Sequence, residues 1–155
     1  MTNDDDELAE LYQQVILDHS KRPRNFGELP DGVHVHGDNP SCGDEIQLSV
    51  KFSDAGQVED LKFTGMGCAI SIASASLMTM KLKGKPREEA QRLLGNFQQL
   101  VTSETEPDTK GLGDAVLLRG VRKFPQRVKC AMLAWRAFEQ ALGDGGPVTT
   151  EEPTV

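Results

Sequence analysis

Eight consecutive residues, from Glu45 to Phe52, alternate strictly between polar and apolar side chains. Because successive side chains of a strand point to opposite faces of the sheet, this pattern predicts a β-strand with one buried and one wet face. A Ser-Asp-Ala-Gly turn sequence follows, and beyond it Leu61 and Phe63 again lie two residues apart. The sequence therefore predicts an antiparallel hairpin that pairs this strand with residues 58–64.

Helical periodicity surrounds the hairpin. Residues 8–20 place apolar side chains at offsets of 3, 4, 7 and 8, which predicts an amphipathic helix that ends before Pro23. Further helices are predicted from Cys68 to residue 82, over 86–100, from 114 onward and from 125 onward, with a third strand over 33–36. This order predicts the α+β class, a three-stranded antiparallel sheet packed by helices.

The charge of the chain is concentrated at its ends. Seven of the 24 acidic residues lie in two terminal stretches, so the remaining acids equal the 17 basic residues in number. We expect an acidic N-terminal tail over 1–7, one domain over 8–142 and a disordered C-terminal tail over 143–155. Without a basic face, a nucleic-acid partner is not expected. Nor is a membrane role, because the sequence has no apolar run long enough to span a bilayer.

Three cysteines and one aspartate are the candidate functional residues. Cys42 and Asp44 share a Pro-Ser-Cys-Gly-Asp turn sequence, Cys68 follows a Gly-Met-Gly segment, and Cys130 follows Arg-Val-Lys. Together they could form one tetrahedral metal site, although no C-x-x-C pair supports it and each cysteine could instead be a small buried residue. An odd number of cysteines and no secretory signal argue for free thiols in a reducing cytoplasm.

Four segments of the sequence carry a family resemblance. They are LY…HSKRP within 11–23, GDNPSCGD at 37–44, FTGMGCAIS at 63–71 and RVKCA at 127–131. In this order they resemble the IscU/NifU-N superfamily of iron–sulfur cluster assembly proteins over residues 8–142. Within it the chain is similar to the SufU branch, because a long segment precedes Cys130 and Lys129 replaces the histidine of the scaffold-type branch.

The resemblance implies a zinc site and a sulfur-transfer role. Its implied Zn²⁺ ligands are Cys42, Asp44, Cys68 and Cys130. Cys42 would accept persulfide sulfur from a PLP-dependent cysteine desulfurase of the SufS type and pass it to downstream cluster-assembly proteins. Arg127 would stabilise the Cys42 thiolate or persulfide. The resemblance thus implies a zinc-dependent sulfurtransferase that works as a relay rather than as a stand-alone enzyme.

The same resemblance supports a second role. Three thiolates and a carboxylate hold iron as readily as zinc, so the chain could instead be a scaffold that assembles and transfers a [2Fe-2S] cluster on the same cysteines. A third possibility is that zinc only staples the fold. The residues that mark the SufU branch favour the sulfur-transfer role.

Overall fold

A computed structural model describes residues 3–103, 107–143 and 148–149. Its four α-helices are α1 (Asn3–Lys21), α2 (Ala69–Leu82), α3 (Arg87–Thr102) and α4 (Pro125–Leu142). Its four strands are β1 (Val33–Asn39), β2 (Asp44–Phe52), β3 (Val58–Met66) and β4 (Val148–Thr149), and a 3₁₀ helix spans Gly113–Lys123. Three antiparallel strands with helices confirm the predicted α+β class.

The sheet has the strand order β3-β2-β1-β4. β1 and β2 are antiparallel and in register from Val33 opposite Val50 to Asn39 opposite Asp44. β2 and β3 are also antiparallel, so that Glu45 faces Met66 at the same end of the sheet. The ends of β1 and β3 therefore lie beside the start of β2, at one end of the sheet.

The hydrophobic core lies between the sheet and the helices. The alternating residues Ile46, Leu48 and Val50 of β2 are all buried, as the sequence pattern predicts. α4 packs against β1 and β2, and α2 packs against β3 and α4. On the far side of α4 the indole of Trp135 stacks on Phe97 of α3, with ring centroids 4.1 Å apart. The packing of α2 and α4 on the sheet holds both helices beside the end of the sheet where β1 and β3 end and β2 begins.

Several boundaries differ from the sequence predictions by a few residues, and the helix predicted from residue 114 onward is the 3₁₀ helix Gly113–Lys123. β1 continues to Asn39, because its pairing with β2 runs up to the turn that connects them. α1 includes residues 3–7, which the sequence assigned to an acidic tail. A further difference lies within the predicted C-terminal tail.

That difference lies in β4. Its two residues pair in parallel with β1, Val148 opposite Gly37 and Thr149 opposite Asp38, although the sequence predicted disorder over 143–155. The pairing satisfies backbone groups at the β1 edge, which local sequence patterns cannot reveal. The other residues of the predicted tail beyond Gly143 lie outside the described residues. Within the described ranges, no helix combines the length and apolarity needed to cross a membrane.

Candidate metal centre

Cys42 and Asp44 are positioned by the turn between β1 and β2. The Cys42 N–H donates to the Asn39 carbonyl at 3.1 Å, and the Gly43 N–H donates to the Pro40 carbonyl at 3.3 Å. Gly43 has a φ of +73°, a conformation that glycine adopts without steric cost. The turn leaves Cys42 exposed and places Asp44, which is 1 % exposed, at the first position of β2.

Cys68 lies at the corner where β3 leads into α2. It is the N-cap residue of α2, and its backbone N–H donates to Oδ1 of Asp44 at 2.8 Å. Gly67 makes this approach possible, since a Cβ at its position would lie 2.8 Å from the Asp44 Cα. The thiol of Cys68 lies 3.8 Å from the other carboxylate oxygen of Asp44. Asp44 therefore connects the two predicted ligand segments.

Cys130 reaches the same point from the early turns of α4. Its thiol is 3 % exposed and lies 3.5 Å from the sulfur of Cys42. The fully buried Asn39 donates from Nδ2 to the Cys130 sulfur at 3.6 Å, while its Oδ1 has no hydrogen-bond partner among the residues that the structure describes. The burial of Cys130 follows from the packing of α4 on β1 and β2.

Three of the four candidate donors lie close together in the structure. One ligand atom each of Cys42, Asp44 and Cys130 lie within 4.8 Å of one another. Zinc bonds of about 2.3 Å to sulfur and about 2.0–2.2 Å to oxygen place neighbouring ligands roughly 3.5–3.8 Å apart on a tetrahedron. The Cys42–Cys130 and Cys68–Asp44 distances of 3.5 Å and 3.8 Å match these edges. The three grouped donors therefore fit Zn²⁺, and Cys68, which is not part of that group, approaches it through its contact with Asp44.

The site also favours a thiolate. The hydrogen bond from the Cys130 thiol is the largest cause that lowers the pKa of Cys68 to about 7, and the backbone N–H groups of Ser71 and Ile70 add to it. Burial and the negative charge of Asp44 oppose this shift. The same Cys68–Cys130 hydrogen bond, followed by burial, raises the pKa of Cys130. The hydrogen bond between the two thiols thus favours a thiolate at Cys68, at the N-terminus of α2.

Gln126 and Arg127 differ in their placement. Nε2 of Gln126 lies 3.6 Å from the Cys42 sulfur. The guanidinium of Arg127, predicted to stabilise that sulfur, instead lies over the ring of Phe124, 4.6 Å from its centroid. Gln126 and Asn39 are the two contacts to sulfur that sequence reasoning did not identify, and their carboxamides carry no pattern that would have revealed them.

Comparison with known proteins places the chain in a family context. The family model of the NifU-like N-terminal domain matches residues 11–131. The chain is 51 % identical over 136 residues to the iron–sulfur cluster assembly scaffold protein IscU of Streptococcus pyogenes serotype M1, covering 87 % of this chain and 84 % of the relative. It is 48 % identical over 141 residues to the zinc-dependent sulfurtransferase SufU of Bacillus subtilis strain 168, covering 90 % and 95 %.

A solved structure agrees with these sequence matches. The crystal structure of a candidate iron–sulfur cluster assembly scaffold protein for the SUF system of Fervidobacterium islandicum aligns with a TM-score of 0.79 at 35 % identity. The alignment covers 86 % of this chain and 97 % of that protein. The similarity therefore extends over most of both chains.

Proposed function

Because the chain belongs to the family of NifU-like N-terminal domains, we propose that it acts in iron–sulfur cluster assembly as a zinc-dependent sulfur-transfer protein. The observation that carries this proposal is the unequal exposure of the four candidate ligands. Asp44 and Cys130 are buried and Cys68 is half-buried, whereas the Cys42 thiol is exposed on a turn. One sulfur can therefore react with a partner while the other ligands remain in place.

Zn²⁺ would be held by Cys42, Asp44, Cys68 and Cys130. Bound there, it would keep the thiols deprotonated at neutral pH and lower the charge of the ligand set. Three thiolates and a carboxylate still leave a negative site. The backbone N–H groups at the N-terminus of α2 and the carboxamide N–H groups near the sulfurs offset this charge.

The proposed sulfur donor is the persulfide of a PLP-dependent cysteine desulfurase of the SufS type. The Cys42 thiolate attacks the outer sulfur of that persulfide and a new S–S bond forms. The original S–S bond breaks, and its electron pair leaves with the desulfurase cysteine as a thiolate. The outer sulfur is then the persulfide of Cys42, and no external oxidant or reductant is needed. Arg127, next to Gln126 in the first turn of α4, is proposed as a supporting cation for this anion.

The remaining partners are proteins of cluster assembly that take the sulfur from Cys42. The cytoplasm is the proposed location, because three free thiols require a reducing compartment. The proposal includes no nucleic acid and no membrane. The relative from Bacillus subtilis, a zinc-dependent sulfurtransferase by name, supports this relay.

The test combines metal analysis with desulfurase turnover. We expect about one zinc per chain and no acid-labile sulfide in the purified protein. Zinc-loaded wild type should stimulate turnover of a SufS-type desulfurase, and Cys42→Ser should abolish the stimulation, because an alcohol cannot carry persulfide. Ser41→Ala, the neighbouring exposed position, is the matched control and should behave as the wild type. Full stimulation by a folded Cys42→Ser protein would refute the proposal.

The same donor set supports a second function. Thiolates hold [2Fe-2S] clusters, and the relative from Streptococcus pyogenes is named a scaffold. A scaffold should contain iron and sulfide in equal amounts and should pass its cluster to an apo-ferredoxin. If desulfurase stimulation and cluster transfer fall in the ligand variants only in proportion to the unfolded fraction of each variant, the metal is a structural staple alone.

A further inference from the structure

The turn that carries Cys42 is linked to α4 by a side chain. Nε2 of Gln126, in the first turn of α4, lies 3.6 Å from the Cys42 sulfur. Both residues are exposed. A second carboxamide, that of Asn39, lies at the same 3.6 Å from the Cys130 sulfur but is completely buried. Cys42, the exposed cysteine, and Cys130, the buried one, therefore each receive a carboxamide N–H, one in water and one in the interior.

The chemistry of the two groups fixes the direction of the bond. A thiolate only accepts hydrogen bonds, so the carboxamide must present its N–H rather than its oxygen to the sulfur. A hydrogen bond to a charged sulfur is stronger than one to a neutral group, and it opens more readily in water than in the interior. The contact of Asn39 is therefore permanent, whereas that of Gln126 can open while the protein stays folded.

The backbone of the turn leaves Cys42 room to move. Within the described part of the chain, two short-range backbone hydrogen bonds close it, from the Cys42 N–H to the Asn39 carbonyl and from the Gly43 N–H to the Pro40 carbonyl. A Cβ added to Gly43 would meet no atom within 4 Å. Gln126, in contrast, belongs to a helix that packs on the sheet. Its hydrogen bond thus joins an open turn to a rigid element.

We propose that Gln126 is a positioning residue that retains the Cys42 sulfur at the metal centre, and that opening of its hydrogen bond releases this sulfur for transfer. The proposal rests on the proposed function, and it adds the residue that regulates access to the acceptor. The hydrogen bond slows the departure of Cys42 from the ligand set and leaves Asp44, Cys68 and Cys130 unaffected.

The experiment measures the exposure of each cysteine in zinc-reconstituted protein. Wild type and variants are treated with a short pulse of iodoacetamide, and modification of each cysteine is followed by mass spectrometry of its peptide. Gln126→Ala should raise the modification rate of Cys42 roughly three- to tenfold, the effect of losing one exposed hydrogen bond to a charged group. The rates of Cys68 and Cys130 should not change.

Three further variants separate the N–H donor from the volume of the side chain. Gln126→Glu keeps the volume but has no donor, so Cys42 should be modified at least as fast as in Gln126→Ala. Gln126→Lys restores a donor and should return the rate toward that of the wild type. Gln99→Ala makes the same substitution on the exposed face of α3 and should have no effect.

The outcomes distinguish this proposal from the function on which it rests. The role of the hydrogen bond is overturned if Gln126→Glu protein binds zinc and iodoacetamide modifies its Cys42 at the wild-type rate, whatever the desulfurase result. Conversely, if zinc-loaded wild type leaves desulfurase turnover unchanged, the sulfur-transfer function is wrong, while the modification rates still report whether Gln126 retains Cys42.

Discussion

Gly67→Ala tests whether the close approach of the β3–α2 corner to Asp44 builds the metal centre. Gly67 has a φ of +147° and lies directly before Cys68. A Cβ at this position would lie 2.8 Å from the Cα and 2.9 Å from the Cγ of Asp44, and closer still to Oδ1. Because one of these atoms is backbone at the start of β2, a side-chain rotation alone cannot relieve the overlap.

The cost has two parts. A non-glycine residue at positive φ costs about 1–2 kcal/mol, and insertion of a methyl group into a packed region costs about 1–3 kcal/mol more. We therefore expect Gly67→Ala to lower the free energy of unfolding by about 2–5 kcal/mol. Gly84→Ala is the matched control, since Gly84 also has a positive φ, +83°, but a Cβ there meets nothing within 4 Å. It should cost only the first part, about 1–2 kcal/mol.

Urea unfolding of the reduced, metal-free proteins measures both changes without a contribution from bound metal. Competition with a chelator then measures zinc affinity, which should fall in Gly67→Ala because the carboxylate of Asp44 is displaced, and should stay at the wild-type value in Gly84→Ala. The reasoning fails if the two variants unfold at the same urea concentration and bind zinc equally well, for the approach to Asp44 would then carry no energy.

Three further predictions concern other parts of the molecule. In reduced, metal-free protein, Cys130→Ala should move the midpoint of Cys68 alkylation upward from about pH 7, because it removes the hydrogen bond that lowers the Cys68 pKa; an unchanged midpoint in a pH series would contradict this. Burial lowers the pKa of His19 from 6.5, so the folded state prefers the neutral ring, and the free energy of unfolding should decrease as pH falls below 6.5. Urea unfolding at several pH values should show a flatter dependence in His19→Gln, and equal slopes would argue against it. Ser74→Ala should lower the free energy of unfolding, measured by thermal unfolding, by about 1–3 kcal/mol, because Nε1 of Trp135 loses its buried acceptor at 3.0 Å. The cost of Ser74→Ala should be smaller in a Trp135→Phe background, which lacks this donor. Strictly additive costs would exclude the coupling between the two residues.

N–H groups contact the sulfurs of the candidate metal centre. The family resemblance implied that Arg127 would stabilise the Cys42 thiolate, but its guanidinium lies over Phe124. The sulfurs instead face N–H groups, from the backbone at the start of α2 and from the carboxamides of Asn39 and Gln126. Such donors stabilise negative charge on the sulfurs, as backbone dipoles at a helix N-terminus do.

Much of the fold could be predicted from the sequence, because its signals are local. The strand from Glu45 to Phe52 was predicted from a two-residue period and α4 from a helical one. The apolar residues Ile46, Leu48 and Val50 of the strand and most of the apolar stripe of α4 are buried as predicted. Pro125 at the first position of α4 marked the start of that helix. The four candidate ligands came from a resemblance of short motifs, and their role as zinc ligands stays a prediction that metal analysis must test.

Only the tertiary structure decided which of these residues meet, and how. The pairing of β4 with β1, the close approach of Gly67 to Asp44 and the contact between Gln126 and Cys42 join segments far apart in the chain. A periodic pattern records which face of an element is buried, but it holds no information on the neighbour that covers that face. The sequence alone thus determined the elements and the candidate ligands of this protein, whereas packing of α2 and α4 on the sheet determined which sulfur is exposed and which donor holds it.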